Sequence, residues 1–173
     1  AGRKDGFVSI ININIRQNVY NFNFSKGPVS VVQFNPNGDW LAIGTKTGGV
    51  RIWKVMTGLL EPGPSHEAEI FNLAFSPDGK LLASASEDST ARIARAETGR
   101  QTVNFEHPDW VEDVAFSPDS TWFVTVSDDK FVRVIDAQTG LEKLRMQHGS
   151  FVQRVEVSPN GDWILTTGYD LTA

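Results

Sequence analysis

Short apolar runs alternate with clusters of turn-forming residues along the chain, at a constant pitch. Val111-Glu-Asp-Val-Ala-Phe116 is apolar at its first, fourth and sixth positions, and Val29/Val32/Phe34, Ile70/Leu73/Phe75 and Val152/Val155/Val157 repeat that spacing. Read alone, the spacing suits one turn of helix. Ser117-Pro118-Asp119-Ser120 follows at once, and turn formers of this kind stop a helix. A strand carrying a bulge accounts better for the broken alternation. Trp122–Ser127 then predicts a second strand, Asp128-Asp129-Lys130 a tight turn, Phe131–Asp136 a third strand, Thr139-Gly140 another turn and Glu142–Met146 a fourth strand.

This unit recurs every 41 residues: Pro36, Pro77, Pro118 and Pro159 keep the step, as do Phe34, Phe75, Phe116 and Val157, the three histidines His66, His107 and His148, and the Thr-Gly pairs ending at Gly58, Gly99 and Gly140. Several markers in one register establish an internal repeat. A four-stranded sheet of about 40 residues cannot bury both faces alone, so it must stack on its neighbours, and radial stacking makes a β-propeller. The expected fold is therefore all-β, with four four-stranded antiparallel blades. Three are continuous, near 27–65, 68–106 and 109–147. The fourth combines 150–173 with 1–26: Phe151–Val157 and Trp163–Gly168 supply its first two strands, Phe7–Asn14 and Val19–Phe24 its last two. These halves meet within one chain or are shared with a second chain.

The units resemble WD40 repeats over essentially the whole length. The resemblance rests on "FNPNGDWLAIGTKTGGVRIWKVMTG", "FSPDGKLLASASEDSTARIARAETG" and "HPDWVEDVAFSPDSTWFVTVSDDKFVRVIDAQTG". The Trp-Asp pair that names the family is degenerate here, reading Trp53-Lys54, Ala94-Arg95 and Ile135-Asp136. The resemblance implies that each His before a first strand bonds an Asp of the second hairpin turn, with a Ser or Thr and a Trp extending the network. The matching residues are His66 with Asp88, His107 with Asp129, and His148 with Asp170; Asp5 holds the Asp position at the N-terminus. Ser84 or Ser86 serves blade two, and Trp53 survives only in blade one, where Ser25 and Thr47 stand at the His and Asp positions. Symmetric copies imply a folding role rather than catalysis. The resemblance also implies rings of about seven or eight blades. Four blades then imply a homodimer closing an eight-bladed ring, or a piece of a longer array. The turns RKDG (3–6) and YDLT (169–172) are one element present at both ends, which favours a piece, natural or engineered, that need have no function of its own.

Trp40, Trp122 and Trp163 open second strands, where packing between blades is expected. Trp110 and Phe151 share one repeat position at the mouth of the first strand, where Pro28 and Glu69 stand in the other blades. In WD40 proteins this rim is where partners dock, and aromatics beside an arginine, here Arg154, are favoured contact residues. Lys46 and Lys130 add cations to rim turns that also carry Glu87, Asp88, Asp128 and Asp129, a mixture suited to a charged peptide.

Composition narrows the function. Net charge is −5 and the pI is about 5.2, which disfavours a nucleic-acid surface. No apolar run approaches the roughly 20 residues of a membrane helix, no signal segment opens the chain, and cysteine is absent. A cytoplasmic protein is expected, without thiolate metal sites. Nucleotide, nucleophile-elbow, metalloprotease and EF-hand motifs are missing, so no catalytic residue, metal or cofactor is expected. Asn23-Phe24-Ser25 matches a glycan acceptor but falls within a predicted strand. The leading expectation is a non-enzymatic scaffold for a protein or peptide partner. The alternative is a ligand-binding or catalytic propeller using its central channel, where Glu112, Asp113, Arg154 and Glu156 are the charged candidates.

Overall fold

A computed structural model describes residues 7–12, 16–23 and 27–170. The RKDG turn with Asp5, residues Phe24 and Ser25, and the end of the YDLT turn lie outside them. Among the described residues every regular element is a strand. β1 (Phe7–Asn12) and β2 (Gln17–Asn23) form a hairpin. The first blade follows with β3 (Val29–Phe34), β4 (Trp40–Thr45), β5 (Val50–Lys54) and the short β6 (Leu60–Pro62). Blade two is β7 (Ile70–Phe75), β8 (Leu81–Ser86), β9 (Thr90–Arg95) and β10 (Gln101–Glu106). Blade three is β11 (Val111–Phe116), β12 (Trp122–Ser127), β13 (Phe131–Asp136) and β14 (Glu142–Gln147). A last hairpin joins β15 (Val152–Val157) to β16 (Ile164–Gly168). Each blade is an antiparallel meander in sequence order.

Local chemistry explains the strands. The register slips at the same place in every first strand, at Val29/Val31, Ile70/Asn72, Val111/Asp113 and Val152/Arg154, so the apolar spacing that imitates a helix comes from a bulge. Buried Ser117 donates its hydroxyl to Asp119 at 2.7 Å and accepts from the Trp122 amide at 3.1 Å, which closes the first hairpin. Ser76 and Asp78 repeat that turn in blade two.

One packing rule joins the blades. A second-strand residue of each blade lies beneath the first strand of the next: Ala42 clusters with Ile70 and Leu73, Ala83 with Val111 and Val114, and Val124 with Val152 and Val155. The first strands β3, β7, β11 and β15 contact one another in succession and form the inner layer of an arc.

The arc is open. Among the described residues β1 pairs only with β2 and β16 only with β15, so the two halves stand as separate two-stranded sheets and the composite blade is not closed within one chain. The physical reason is visible in the side chains that a following or preceding blade would cover. Phe34 is 49 % exposed, whereas its counterparts Phe75 and Phe116, each roofed by the preceding blade, are 9 % and 8 % exposed. At the other end Trp163 is 74 % exposed and Leu165 lies open, although Val124, one repeat earlier, is wholly buried. The expectation that Trp163 packs between blades, as the half-buried Trp40 and Trp122 do, is therefore corrected: among the described residues no further sheet packs on it.

Candidate functional site

The three histidines occupy equivalent places with different bonding. The His66 Nδ1 lies 2.9 and 3.0 Å from the two Asp88 oxygens, and Nε2 lies 2.7 Å from the Ser84 hydroxyl. A neutral ring donating from Nδ1 to Asp88 and accepting from Ser84 satisfies all of these contacts. Asp88 also accepts from the Thr90 hydroxyl (2.7 Å) and from the amides of Thr90 and Glu67 (both 3.0 Å), with Arg92 3.4 Å away. Arg92 in turn donates to the Ser65 carbonyl.

Blade three differs. Arg133 Nη1 donates to His107 Nδ1 at 2.9 Å and lies 2.7 Å from Asp129 Oδ2, an ion pair that is not aligned as a hydrogen bond. His107 Nδ1 is 3.6 Å from that oxygen, so its ring proton sits on Nε2 and is donated to Thr125 Oγ1 at 3.2 Å. The two rings thus hold opposite tautomers, because an arginine is interposed in one and not the other. His148 bonds Asp170 (3.1 Å) and Thr166 (2.9 Å). Trp53 is buried with Val8, Val29, Leu41 and Ile43.

Burial lowers the pKa of His66, against the hydrogen bond and charge of Asp88, and burial likewise lowers that of His107, against Asp129 and aided by Arg133. Burial opposes ionisation of Asp88 and Asp129, but hydrogen bonds from His66, Thr90 and the Glu67 amide hold the Asp88 carboxyl below its ordinary value, and the Phe131 amide and the Arg133 charge do the same for Asp129. The unfolded chain therefore takes up protons before the folded one as pH falls below the ordinary histidine value of 6.5, and again below 3.8. Stability is lost on acidification through both windows. Differential scanning calorimetry should show a lower midpoint at pH 5 than at pH 7, and His66→Gln should flatten that difference.

The rim is built from residues at matched repeat positions. Lys46, from the second turn of blade one, reaches Glu69 of blade two with its ammonium 2.7 and 2.9 Å from the two carboxylate oxygens. Phe71 and Trp110 tilt together with centroids 6.0 Å apart. Between blade three and the last hairpin an open depression of about 500 Å³ is lined by Trp110, Glu112, Asp128, Phe151, Gln153 and Tyr169, with Ser150. Phe151 and Tyr169 meet edge to face at 6.4 Å, and Gln153 donates to the Tyr169 hydroxyl at 3.0 Å. Trp110, Phe151 and Tyr169 are all exposed. Arg154 does not line this depression; its guanidinium lies 4.0 Å from Asp113 on the inner strands. Lys130 is exposed outside it. The rim residues named from sequence thus divide: Trp110 and Phe151 come together, Lys46 is engaged by Glu69, and Arg154 and Lys130 stand apart.

The sequence matches the repeat described as WD domain, G-beta repeat, over residues 16–54, 60–93, 99–136 and 141–173. The chain belongs to the WD40-repeat family. No curated protein matches it. Each matched WD40 segment from the second onward begins near the fourth strand of one blade and runs into the next, so the sequence unit bridges two sheets. WD40 repeats generally serve as scaffolds for protein–protein interaction. No helix among the described residues is long and apolar enough to cross a membrane.

Several residues escaped the sequence reading. Arg51, Arg92 and Arg133 recur at the 41-residue step, a signal that was legible, and two of them enter the His-Asp networks. Glu112 and Asp113, read as channel candidates, serve elsewhere: Glu112 lines the rim depression and Asp113 bonds across blades. Tyr169 and Asp128 also share a repeat position, but which side chains converge depends on neighbouring blades.

Proposed function

We propose that this WD40 chain is a non-enzymatic scaffold that docks a protein or peptide on the rim between blade three and the last hairpin, and that two copies complete an eight-bladed ring. The observation that carries the docking site is the exposed trio Trp110, Phe151 and Tyr169 around one depression where loops and turns meet the strand ends. Binding to a random peptide array, compared between the parent and Trp110→Ala, tests it. Selective capture by the parent and at least tenfold weaker capture by the variant is the expected result; equal capture removes the site.

The ring rests on the open ends. Among the described residues β1 carries a free edge beside a small apolar cleft of about 140 Å³ lined by Val8, Ile10, Val32, Phe34 and Leu41. β16 carries the complementary free edge with exposed Leu165. Adding β16 of one copy beside β1 of another restores the strand order of the complete blades, roofs Phe34 and pairs both of these edges. Light scattering should give a mass near twice 19.1 kDa, and Leu165→Asp should return the single-chain mass. A parent protein that is monomeric at all concentrations overturns the ring.

A further inference from the structure

We propose that the rim depression takes a cationic side chain, arginine or lysine, from the docked segment. This rests on the docking reading above and names its ligand chemistry. The walls combine three exposed aromatic rings, Trp110, Phe151 and Tyr169, with two carboxylates, Glu112 and Asp128. Among the described residues neither carboxylate has a side-chain hydrogen bond or an ion pair within 4.0 Å. Both are partly buried. Burial first, then Asp128, raises the pKa of Glu112, with Arg154 opposing; burial first, then Asp109 and Asp129, raises that of Asp128. Arg154 stays with Asp113, and Arg133 with Asp129, so the acids of this corner outnumber its cations.

The first junction of the arc shows a cation held on this rim. Between blades one and two the acid Glu69 holds the ammonium of Lys46 bidentately. Lys46 stands at the repeat position occupied by Glu87, Asp128 and Tyr169 in the following units. At the last junction Asp128 therefore stands where Lys46 does and Phe151 where Glu69 does, so the corner holds an acid and a ring without the internal lysine. An arginine or lysine from outside would bring to Glu112 and Asp128 the positive charge that Lys46 brings to Glu69, with aromatic faces to stack on. A carboxylate or an apolar side chain would leave both acids uncompensated.

The test uses the full chain and four pentapeptides, acetyl-Gly-Ser-X-Ser-Gly-amide, with X as arginine, lysine, norleucine or glutamate. The Trp110 indole N–H resonance, assigned by its loss in Trp110→Ala, is followed on titration. Arginine and lysine peptides should shift it saturably, and norleucine and glutamate should bind at least tenfold more weakly. The double variant Glu112→Gln, Asp128→Asn should weaken the arginine peptide at least fivefold. It removes a repulsive pair, so the fold is kept. Raising salt should weaken binding to the parent in the same direction. Equal shifts for norleucine, or no loss in the double variant, overturn the cation while leaving the docking site intact. No shift with any of the four peptides overturns the cation as well. Failure of the peptide array to depend on Trp110 removes both readings.

Discussion

Gly99→Ala should unfold the protein at markedly lower temperature, with a stability loss above about 3 kcal/mol, while Gly58→Ala, at the same repeat position, should cost only about 1–2 kcal/mol. Both glycines end a Thr-Gly turn between third and fourth strands, and both have positive φ, +65° at Gly99 and +72° at Gly58. Backbone strain for an alanine is thus common to both. The surroundings differ. A Cβ at Gly99 would lie 1.7 Å from the Pro62 carbonyl oxygen, because the turn of blade two nests against the outer strand of blade one, and a backbone oxygen cannot step aside. At Gly58 nothing among the described residues lies within 4 Å. Gly140 falls between, since its added Cβ would meet a methyl of Val103 at 2.9 Å and a side chain yields more readily. The expected order of chemical-denaturation midpoints is Gly58→Ala, then Gly140→Ala, then Gly99→Ala lowest. Equal losses at the three positions would mean that only the backbone strain matters and that the blades do not nest as described.

Much of this fold was readable because a repeat reports itself many times. The strand limits at Val111–Phe116, Trp122–Ser127 and Phe131–Asp136 follow from the turn formers that bracket each apolar run. Positions at a fixed pitch also told which residues are equivalent. They could not tell how equivalent residues come to differ, which is a property of the neighbours. Trp163 repeats Trp40 and Trp122 in sequence yet is exposed, because no described sheet follows it. His107 repeats His66 but holds the opposite tautomer, because Arg133 bonds its Nδ1 while Arg92 turns to the Ser65 carbonyl. The candidate site was half legible for the same reason. Trp110 and Phe151 announce themselves as rare aromatics at one repeat position, whereas the acids beside them look like ordinary rim charges until the junction brings them against the rings.

Asp113→Ala should cost about 2–4 kcal/mol and should loosen the last hairpin before the rest of the molecule. Val31, Asn72, Asp113 and Arg154 occupy one position of the four inner strands, spaced at 41. The buried Asp113 carboxylate accepts from the Asn72 side-chain amide on β7, from the Val114 amide at 2.8 Å and from the Val155 amide of β15 at 3.1 Å. One side chain therefore ties three successive blades at the axis. Truncation strands the Asn72 and Val155 donors, and each buried unsatisfied donor costs about 1–3 kcal/mol. Part of that loss is recovered, because burial raises the pKa of Asp113, against its hydrogen bonds, so its charge is held at a cost. The sign of that shift gives a second handle. The folded state keeps this proton more readily than the unfolded one, so the parent draws a small stabilising contribution from Asp113 as pH falls through its raised pKa, and the alanine variant loses it. Asp113→Asn keeps one acceptor oxygen but turns an NH₂ toward at least one of the three donors, so it should fall between parent and alanine. Hydrogen exchange read by mass spectrometry should show protection at Val155 and along β15 collapsing first in the alanine variant. Unchanged exchange there, together with a parent-like midpoint, would mean that apolar contacts of Val152 and Val155 with Val124 hold the last hairpin without the polar tie.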